Sequence, residues 1–519
     1  MKLGHLKRIR VAVSLTFLVL TGWMFLAFSD SVPTSWTNSI LFLQFVPSVT
    51  KFLATFSLSA AGFVVTLLLA ALFGRVYCST ICPLGTLQDI ISSTSHRLKK
   101  KNRHRPIGAF NGLRYSLLVL VTVLALSGTL ILLNLLDPFS SFGRMVTTLA
   151  RPVLLLGNNT LAFALESAGI YALDPVQVKV IAFTVLVVPI LTLGLVAWMS
   201  YRHGRLYCNT LCPVGTFLGL LSRFSLFRLA INKERCIGCN LCESVCKGGC
   251  IDKKQKSLDF TRCVSCYNCL AVCPTDGLEF RGILDKKAPA RTETPDYQRR
   301  QIMYNSAFFI AASWGSTQTS MKKIISAKET TVVVAKILPI APPGGRSIAS
   351  FTGRCTACHL CVSACPSQVL SPSLFEYGLV NFMQPRMDFV AGFCNYECTI
   401  CSQVCPSGAI LPVTLEQKKL TQVGAAKFIK DNCIVYTEEK DCGACSEHCP
   451  TKAVRMVPYK KLVAPEVKEE YCIGCGACEH ACPTRPFKAI YVDGKAVHTA
   501  AKKPEMKKIE EKTLEEFPF

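Results

Sequence analysis

The chain has 519 residues, 29 of which are cysteine, and 50% of its residues are hydrophobic. Its mean hydropathy is +0.34 and its formal net charge is +24. These values exclude a disordered chain and a small disulfide-bonded secreted domain. Long uncharged runs within the chain predict a membrane protein with soluble parts.

Basic side chains are concentrated in the first two thirds of the chain. Residues 1–345 carry 37 Lys and Arg against 15 Asp and Glu, whereas residues 346–519 carry 21 against 19. Basic residues beside apolar spans are what the positive-inside rule requires. The surplus therefore indicates a membrane, and no nucleic acid, as the partner.

Four uncharged runs predict an α-helical membrane domain of four spans, because each run is near the about 20 residues that cross a hydrocarbon core. They are residues 11–28, 52–74, 115–136 and 180–201. The first run is longer than the apolar part of a cleaved signal peptide, so an uncleaved anchor is expected. Basic residues before it predict a cytoplasmic N-terminus, and four spans return the chain to that side. The runs contain no His, which argues against a b-type haem.

An internal repeat contains paired cysteines. The sequence Gly-Arg-x-Tyr-Cys-x3-Cys-Pro-x-Gly-Thr occurs twice, beginning at Gly74 and at Gly204. Each copy follows a pair of predicted spans, and duplicated halves of this kind pack around a pseudo-twofold axis. We expect the four cysteines to meet at the cytoplasmic rim of the membrane, where they serve as redox thiols or hold a metal or iron–sulfur centre. The alternative is inert packing. The four residues are Cys78, Cys82, Cys208 and Cys212.

Six further motifs have the spacing of 4Fe–4S ligands, which predicts six clusters. They contain Cys236, Cys239, Cys242 and Cys246; Cys263, Cys266, Cys269 and Cys273; Cys355, Cys358, Cys361 and Cys365; Cys394, Cys398, Cys401 and Cys405; Cys433, Cys442, Cys445 and Cys449; and Cys472, Cys475, Cys478 and Cys482. The wider first gaps make Cys394 and Cys433 the least regular ligands. Cys250 has no assigned role.

The first two motifs form a two-cluster ferredoxin pattern. In that pattern three thiolates from one motif and the fourth from the other hold each cluster. The spacing therefore predicts one cluster on the first three cysteines of the first motif and Cys273. The other cluster is expected on the first three cysteines of the second motif and Cys246. Structural zinc is the main alternative, but it does not need this run of spacings. Disulfides would not meet their pairing geometry between such near neighbours.

The motifs divide the chain into predicted segments with α-helical and α+β, ferredoxin-like folds. The predicted segments are a membrane domain at 1–230, a cytoplasmic two-cluster ferredoxin at 231–285, a linker at 286–345, a four-cluster ferredoxin at 346–494 and a disordered charged tail at 495–519. In the linker, Arg299 and Arg300 precede a weakly apolar stretch, as in a twin-arginine export signal. That stretch is a possible fifth membrane segment, and an ordinary linker with a short amphipathic helix is the alternative. Export would place residues 346–519 in the periplasm.

These motifs carry a family resemblance. The doubled Tyr-Cys-x3-Cys-Pro-x-Gly-Thr motif followed by two ferredoxin motifs resembles the NapH-type membrane ferredoxins, a group related to the NosR and CcoG polyferredoxins, over about residues 1–285. The remainder is similar to the NapG-type four-cluster ferredoxins that the twin-arginine route exports. The chain thus looks like a fusion of the two.

The NapG-type resemblance also implies how the last four motifs pair. It would join Cys355, Cys358 and Cys361 with Cys482; Cys472, Cys475 and Cys478 with Cys365; Cys394, Cys398 and Cys401 with Cys449; and Cys433, Cys442 and Cys445 with Cys405.

What the resemblance implies about function is electron transfer from quinol, in particular menaquinol, to a periplasmic reductase or another redox partner in anaerobic respiration. The protein would be a multi-pass protein of the inner (cytoplasmic) membrane. No molybdopterin, flavin or nucleotide motif is present, so the sequence indicates an electron-transfer subunit without a substrate pocket. The alternatives are a maturation factor that reduces a thiol or metal on a client protein through the repeated cysteines, and a cluster-based redox sensor.

Overall fold

The computed structural model describes residues 4–27, 33–98, 110–179, 182–232, 234–252, 255–282 and 336–503. The chain divides into two compact units. Unit 1 comprises residues 1–325, 349–386 and 400–412, and unit 2 comprises residues 326–348, 387–399 and 413–519. Residues 349–386 and 400–412 thus group with the N-terminal part of the chain, so unit 1 crosses the predicted segment boundary at 346.

Helices form the first half of unit 1. They are α1 (Gly4–Leu26), α2 (Thr34–Phe42), α3 (Phe45–Thr55), α4 (Gly62–Phe73), α5 (Val76–Thr80), α6 (Pro83–Leu98), α7 (Asn111–Leu126), α8 (Ile131–Leu136), α9 (Pro138–Met145), α10 (Arg151–Ser167), α11 (Phe183–His203), α12 (Leu206–Thr210) and α13 (Pro213–Ser222). A π-helical turn, Val146–Ala150, joins α9 to α10.

Two of the four predicted spans are single long helices. His5–Leu26 of α1 and Phe183–His203 of α11 are the described helices long and apolar enough to cross a membrane. The expectation of four such helices was wrong, because two of the apolar runs are broken. Phe56 has a left-handed backbone, with φ of 49°, and ends α3. Gly128, with φ of 83°, follows the end of α7. Counting apolar residues does not detect such breaks.

Ferredoxin region A, residues 227–282, follows the helices. Two antiparallel strand pairs frame it: β1 (Phe227–Ile231) with β4 (Leu278–Gly282), and β2 (Ile251–Asp252) with β3 (Ser257–Leu258). The short helices α14 (Leu241–Ser244) and α15 (Asn268–Val272) lie between them. The buried core of this region consists largely of cysteines with a few apolar side chains such as Leu229 and Phe260.

Ferredoxin region B, residues 349–386 and 400–412, completes unit 1. It contains α16 (Ile348–Thr352), α17 (Leu360–Ala364), the strands β5 (Leu370–Pro372) and β6 (Pro385–Met387), and α18 (Ile400–Val404). The two strands pair with each other.

Ferredoxin region C, residues 413–503, makes up most of the described part of unit 2. It contains α19 (Leu415–Leu420), β7 (Thr421–Phe428), α20 (Ile434–Thr437), α21 (Ala444–Glu447), β8 (Val454–Tyr459), β9 (Leu462–Val467), α22 (Ala477–Ala481) and β10 (Ile490–Ala500). A capping box between Thr414 and Gln417 starts α19. β7 pairs antiparallel with β10, and β8 with β9.

The structure tests the expectation for the start of the tail but not the one for the twin-arginine segment of the linker. The tail was expected to be irregular from residue 495, but β10 continues to Ala500, because Thr499 and Ala500 pair with Gln422 and Thr421 after a shift in register. The prediction for residues 495–500 was therefore wrong. The twin-arginine segment around Arg299 and Arg300 lies outside the described residues, as do residues 504–519.

Candidate functional site

In region A the structure brings together the two cysteine sets that the spacing predicts. Cys236, Cys239, Cys242 and Cys273 line one cavity. Cys246, Cys263, Cys266 and Cys269 line a second. Four thiols around each cavity fit a cubane, which is bound by four thiolates.

A shared backbone conformation directs the first thiols of a motif inward. The second and fourth residues after the first cysteine have positive φ at Ser265 and Tyr267, at Ala357 and His359, and at Gly474 and Gly476. The same holds for Gly238 and Asn240. Such left-handed residues turn the chain sharply, so successive cysteines face one point. The irregular motifs at Cys394 and Cys433 have different spacing and no such pair among the described residues.

Cys250 is a fifth thiol in the second cavity of region A, and sequence reasoning assigned it no role. Its Sγ lies 3.4 Å from Cys246 Sγ, and it also interacts with Cys263. It stands four residues after Cys246. The same position is Ala409 after Cys405 and Ala453 after Cys449, and comparing these motifs is the signal that could have revealed it.

In regions B and C the thiols gather differently from the pairing implied by the NapG-type resemblance. Cys405 interacts electrostatically with Cys355, Cys358 and Cys361. Cys482 does so with Cys433 and Cys445, and Cys449 with Cys472, Cys475 and Cys478.

The NapG-type pairing of these three sets was therefore wrong. In each of these three sets the shared cysteine comes from the neighbouring motif, as in region A. The sharing of Cys365, Cys394, Cys398 and Cys401 stays a prediction. No three His, Cys, Asp or Glu side chains of the described residues are placed to hold a single metal ion. A cubane instead places each thiolate on a different iron, so its thiolates surround a cavity.

The four repeated cysteines also meet. Cys82 interacts electrostatically with Cys208 and Cys78, and Cys212 with Cys208, Cys78 and Cys82. All four are buried, with at most 4% of each residue exposed. Two sulfurs also have hydrogen-bond partners: Gly215 N donates to Cys212 Sγ at 3.3 Å, and Gln88 Nε2 lies 3.4 Å from Cys208 Sγ. The expected meeting of these cysteines thus occurs in the structure.

The arginine of each half-repeat contacts the cysteine helix of the other half. Arg75 donates to the carbonyl of Cys208 at 2.9 Å and to Asn209 Oδ1 at 2.6 Å. Arg205 in turn donates to the carbonyl of Cys78. This exchange is the pseudo-twofold relationship that the repeat predicts.

The glycines of the repeat are also explained by this packing. A Cβ on Gly85 would lie 2.3 Å from the carbonyl oxygen of Cys78, and a Cβ on Gly215 would lie 2.3 Å from that of Cys208. Only glycine allows α6 and α13 to come so close to the cysteine helices. Gly74 and Gly204, with φ of 77° and 68°, end α4 and α11.

A buried ionic network joins the repeat to region A. Asp89 contacts Arg10 at 2.7 Å, Arg205 at 2.9 Å and Lys247 at 3.0 Å. Burial alone would raise the pKa of Asp89, but the three cations hold this pKa well below its usual range. Lys247 follows the ligand Cys246 directly, so this carboxylate connects α1, α6, α12 and a cysteine loop.

Regions A and B contact opposite ends of the two long helices. Near the start of α1, Leu6 packs against the core of region A. Near its end, Phe25 packs against Phe139 and Phe142 of α9, with ring centroids 5.6 and 6.4 Å apart. From there α9 reaches region B: Arg144 donates to the carbonyl of Ala357 at 3.3 Å.

The second long helix, α11, runs in the opposite sense. Val185 near its start packs with Ala357 and Met383 of region B. Arg205, just after its end, donates its backbone N–H to the carbonyl of Lys247 in region A at 2.9 Å. Leu6 and Phe25 are 19 residues apart on α1, which is about 28 Å of helix. That length is close to the about 30 Å of a hydrocarbon core.

Comparisons with known families agree with this arrangement. A family described as a 4Fe-4S binding domain matches residues 55–102 and 184–233, the two halves of the repeat. A 4Fe-4S dicluster domain matches residues 235–278 and 440–485, and a second dicluster family matches residues 354–410. No solved structure matches the chain significantly.

Several ferredoxin-type proteins are similar to parts of the chain. NapF of Escherichia coli K12 is 28% identical over 137 residues, 26% of this chain and 74% of NapF. The methylamine utilization protein MauN of Paracoccus denitrificans is 30% identical over 199 residues, 36% of this chain and 55% of MauN. NapH of Haemophilus influenzae is 25% identical over 184 residues, 35% of this chain and 51% of NapH.

The motifs, the cavities and these matches together define the class: an iron–sulfur electron-transfer protein with several 4Fe–4S ferredoxin domains. Within that class the predicted resemblance to the NapH-type polyferredoxins is confirmed, at the modest identities given above.

Proposed function

We propose that the chain is the electron-transfer subunit of a quinol-oxidising system. It takes electrons from menaquinol and passes them through six 4Fe–4S clusters to a periplasmic reductase. The observation that carries this proposal is the gathering of four motif cysteines around each of the two cavities of region A. The four later cysteine motifs are of the same kind, which supports the count of six clusters.

The residues of the chain have distinct tasks toward these clusters. A bound cubane supplies one-electron chemistry at a potential that its surroundings set. Backbone N–H groups stabilise the sulfurs: Gly277 N donates to Cys273 Sγ at 3.3 Å, and Ile410 N to Cys405 Sγ at 3.4 Å. Burial of cysteines such as Cys263 and Cys355 excludes water from the sites.

A multi-pass position in the cytoplasmic membrane belongs to the proposal. Besides α1 and α11, several helices expose apolar side chains: Val19 is 66% exposed, Phe163 is 75% exposed and Leu191 is 65% exposed. A soluble surface rarely gathers so many apolar side chains. Lipid is the partner that would cover them.

We further propose that region A is cytoplasmic and that residues 346–519 are periplasmic. The basic N-terminal flank of α1 favours the cytoplasm for the end that contacts region A. Region B contacts the start of α11 directly and is connected to the end of α1 through α9, which supports the opposite side for it.

The maturation-factor alternative is less well supported. A thiol that reduces a client protein must be accessible as a thiolate. Cys78, Cys82, Cys208 and Cys212 are each at most 4% exposed. Their burial favours a fixed redox centre over working thiols.

The proposal is tested on the full-length chain, purified anaerobically in detergent. Six cubanes in the ferredoxin motifs require at least about 24 iron atoms per chain. Addition of a soluble menaquinol analogue should reduce the clusters, as seen by electron paramagnetic resonance (EPR). If dithionite reduces the clusters and the quinol does not, the quinol part of the proposal is wrong. Serine in place of Cys358 and of Cys478 is expected to remove one cluster each.

A further inference from the structure

The four repeated cysteines lie between regions A and B, and the six clusters proposed above do not use them. We infer that Cys78, Cys82, Cys208 and Cys212 hold one additional iron–sulfur cluster, shared by the two half-repeats, which relays electrons across the membrane between region A and region B. The inference rests on the proposed function only in requiring clusters in these two regions.

The donor set requires a shared centre. Each half-repeat supplies only two cysteines, so neither half can complete a four-thiolate site alone. Contacts between the halves hold the cysteine helices against each other: Gln88, six residues after Cys82, lies 3.4 Å from Cys208 Sγ, and Arg205 donates to the carbonyl of Cys78. All four cysteines are buried there. Backbone donation from Gly215 to Cys212 Sγ, at 3.3 Å, resembles the donation that Gly277 makes to Cys273 in region A.

The surrounding charge calls for an anion. Arg75 is fully buried, yet among the described residues it donates hydrogen bonds to neutral acceptors: the carbonyls of Cys208 and Thr261 and Oδ1 of Asn209. Its Nε atom is buried without a hydrogen-bond partner among the described residues.

A guanidinium cannot shed its proton in a protein, and an uncompensated buried cation is costly. A cluster with four thiolates carries a net charge of about −2 and would compensate Arg75 from within the site. Asp89 compensates Arg205 from the other side.

Toward region A, the cysteine helices contact the cluster loops directly. Ser79, next to Cys78, donates to the carbonyl of Ser265 at 3.4 Å, between Cys263 and Cys266. Asn209, next to Cys208, donates to the carbonyl of Gly248 at 3.0 Å, close to Cys246. Both halves of the repeat therefore touch the loops of one region A cluster.

Toward region B, one buried layer intervenes. Tyr207, on the other side of Cys208, donates its hydroxyl to the carbonyl of Leu136 at 2.9 Å. The α9 helix that follows lies against region B, because a Cβ on Gly143 would be 2.4 Å from the carbonyl oxygen of Cys358. The four thiols are thus connected to a ligand loop on each side.

The relay step is a one-electron transfer. One electron leaves a reduced cluster of region A, occupies the shared cluster and then reduces an oxidised cluster of region B, or moves in the opposite direction. No bond forms or breaks in the step, and no proton is needed. The external donor and acceptor set the direction.

The experiment uses the full-length chain in liposomes that contain no quinone. Dithionite is the external reductant, and cytochrome c is trapped inside. The wild type should reduce the trapped cytochrome c. Cys82→Ser and Cys212→Ser should each lose one cluster by iron content and EPR, keep the ferredoxin signals, and fall to the rate of protein-free liposomes.

The ferredoxin signals also report whether each variant has folded. Arg75→Gln tests the charge argument without touching a thiol, and it should lower occupancy of the shared cluster. Arg75→Lys should keep more of the shared cluster than Arg75→Gln does. Arg223→Gln, at an exposed position directly after α13, should leave the occupancy of the cluster unchanged.

Two results would overturn the inference: unchanged iron and EPR in both serine variants, or unchanged transfer after the additional cluster is lost. Failure of the menaquinol test in detergent would instead contradict the proposed function alone, because the liposome assay contains no quinone.

Discussion

Single residues around the clusters are where this chain departs from a regular ferredoxin. Cys250 occupies a position that is alanine in the motifs of Cys405 and Cys449. Its thiol is 3.4 Å from Cys246 Sγ. Hydrogen bonds to ligand sulfur stabilise the more negative, reduced cluster and so raise its potential.

We therefore expect Cys250→Ala to keep the cluster and to lower its midpoint potential. An EPR-monitored redox titration of the full chain measures this shift, with the other clusters as internal references. Alanine fits the site, since Ala409 and Ala453 stand at the equivalent positions. Loss of the cluster would show instead that Cys250 is a ligand.

A second prediction concerns Asp89, which is buried and paired with three cations. Asp89→Asn would leave Arg10, Arg205 and Lys247 buried around a neutral side chain. Removing one partner of a buried ion network costs about 3–5 kcal/mol. Thermal unfolding in detergent should detect that loss, whereas Glu397→Gln, in an exposed pair with Lys419, should change little. Equal effects of the two variants would contradict the role given to Asp89.

The pH dependence of this network follows from the lowered pKa of Asp89. A carboxylate with a depressed pKa in the folded protein stabilises it above the unfolded pKa, about 3.9, and loses that contribution as pH falls through the folded pKa. The network should therefore persist at pH 5. The difference in stability between wild type and Asp89→Asn should be the same at pH 7 and pH 5.

At the scale of elements, the sequence predicted the periodic and motif-bearing parts and missed the local breaks. The run at residues 180–201 corresponds closely to α11, because no charged residue interrupts it. The runs that contain Phe56 and Gly128 looked equally apolar, but their breaks depend on backbone conformation. The ligand sets of region A could be predicted from the cysteine spacing. The pairing of the later motifs was taken from the NapG-type resemblance, and it was wrong. Comparing the motifs could have singled out Cys250, whereas the exchanged arginine contacts depend on the tertiary structure.

The contact between α9 and region B depends on Gly143. A Cβ there would lie 2.4 Å from the carbonyl oxygen of Cys358 and 2.6 Å from the Phe25 ring. Gly143→Ala should destabilise the protein by about 1–3 kcal/mol, as overpacking does. Gly157→Ala is the matched helical control, since nothing lies within 4 Å of its added Cβ. It should be neutral or stabilising by up to about 1 kcal/mol. Thermal unfolding of both variants measures this difference. Equal unfolding temperatures for the two variants would contradict the contact.

At the scale of the whole molecule, the compartment of the C-terminus is the main open prediction. A phosphatase or fluorescent reporter after Phe519 should be active as a periplasmic fusion in the native chain. Arg299→Lys with Arg300→Lys should abolish that location if the twin-arginine route exports folded, cluster-bearing domains. A cytoplasmic reporter in both chains would make the protein an electron-transfer hub facing the cytosol.

The contact of Phe25 with Gly143, and of Gly143 with Cys358, has a consequence for biosynthesis. The ribosome makes α1 more than 300 residues before it makes Cys358. Region B covers part of the surface of α1 and α9. This surface therefore stays exposed until region B has been synthesised and has bound its clusters. Iron supply would then control completion of the membrane part itself. Iron-starved cells should accumulate a form that quality-control proteases cleave near residues 25 and 143.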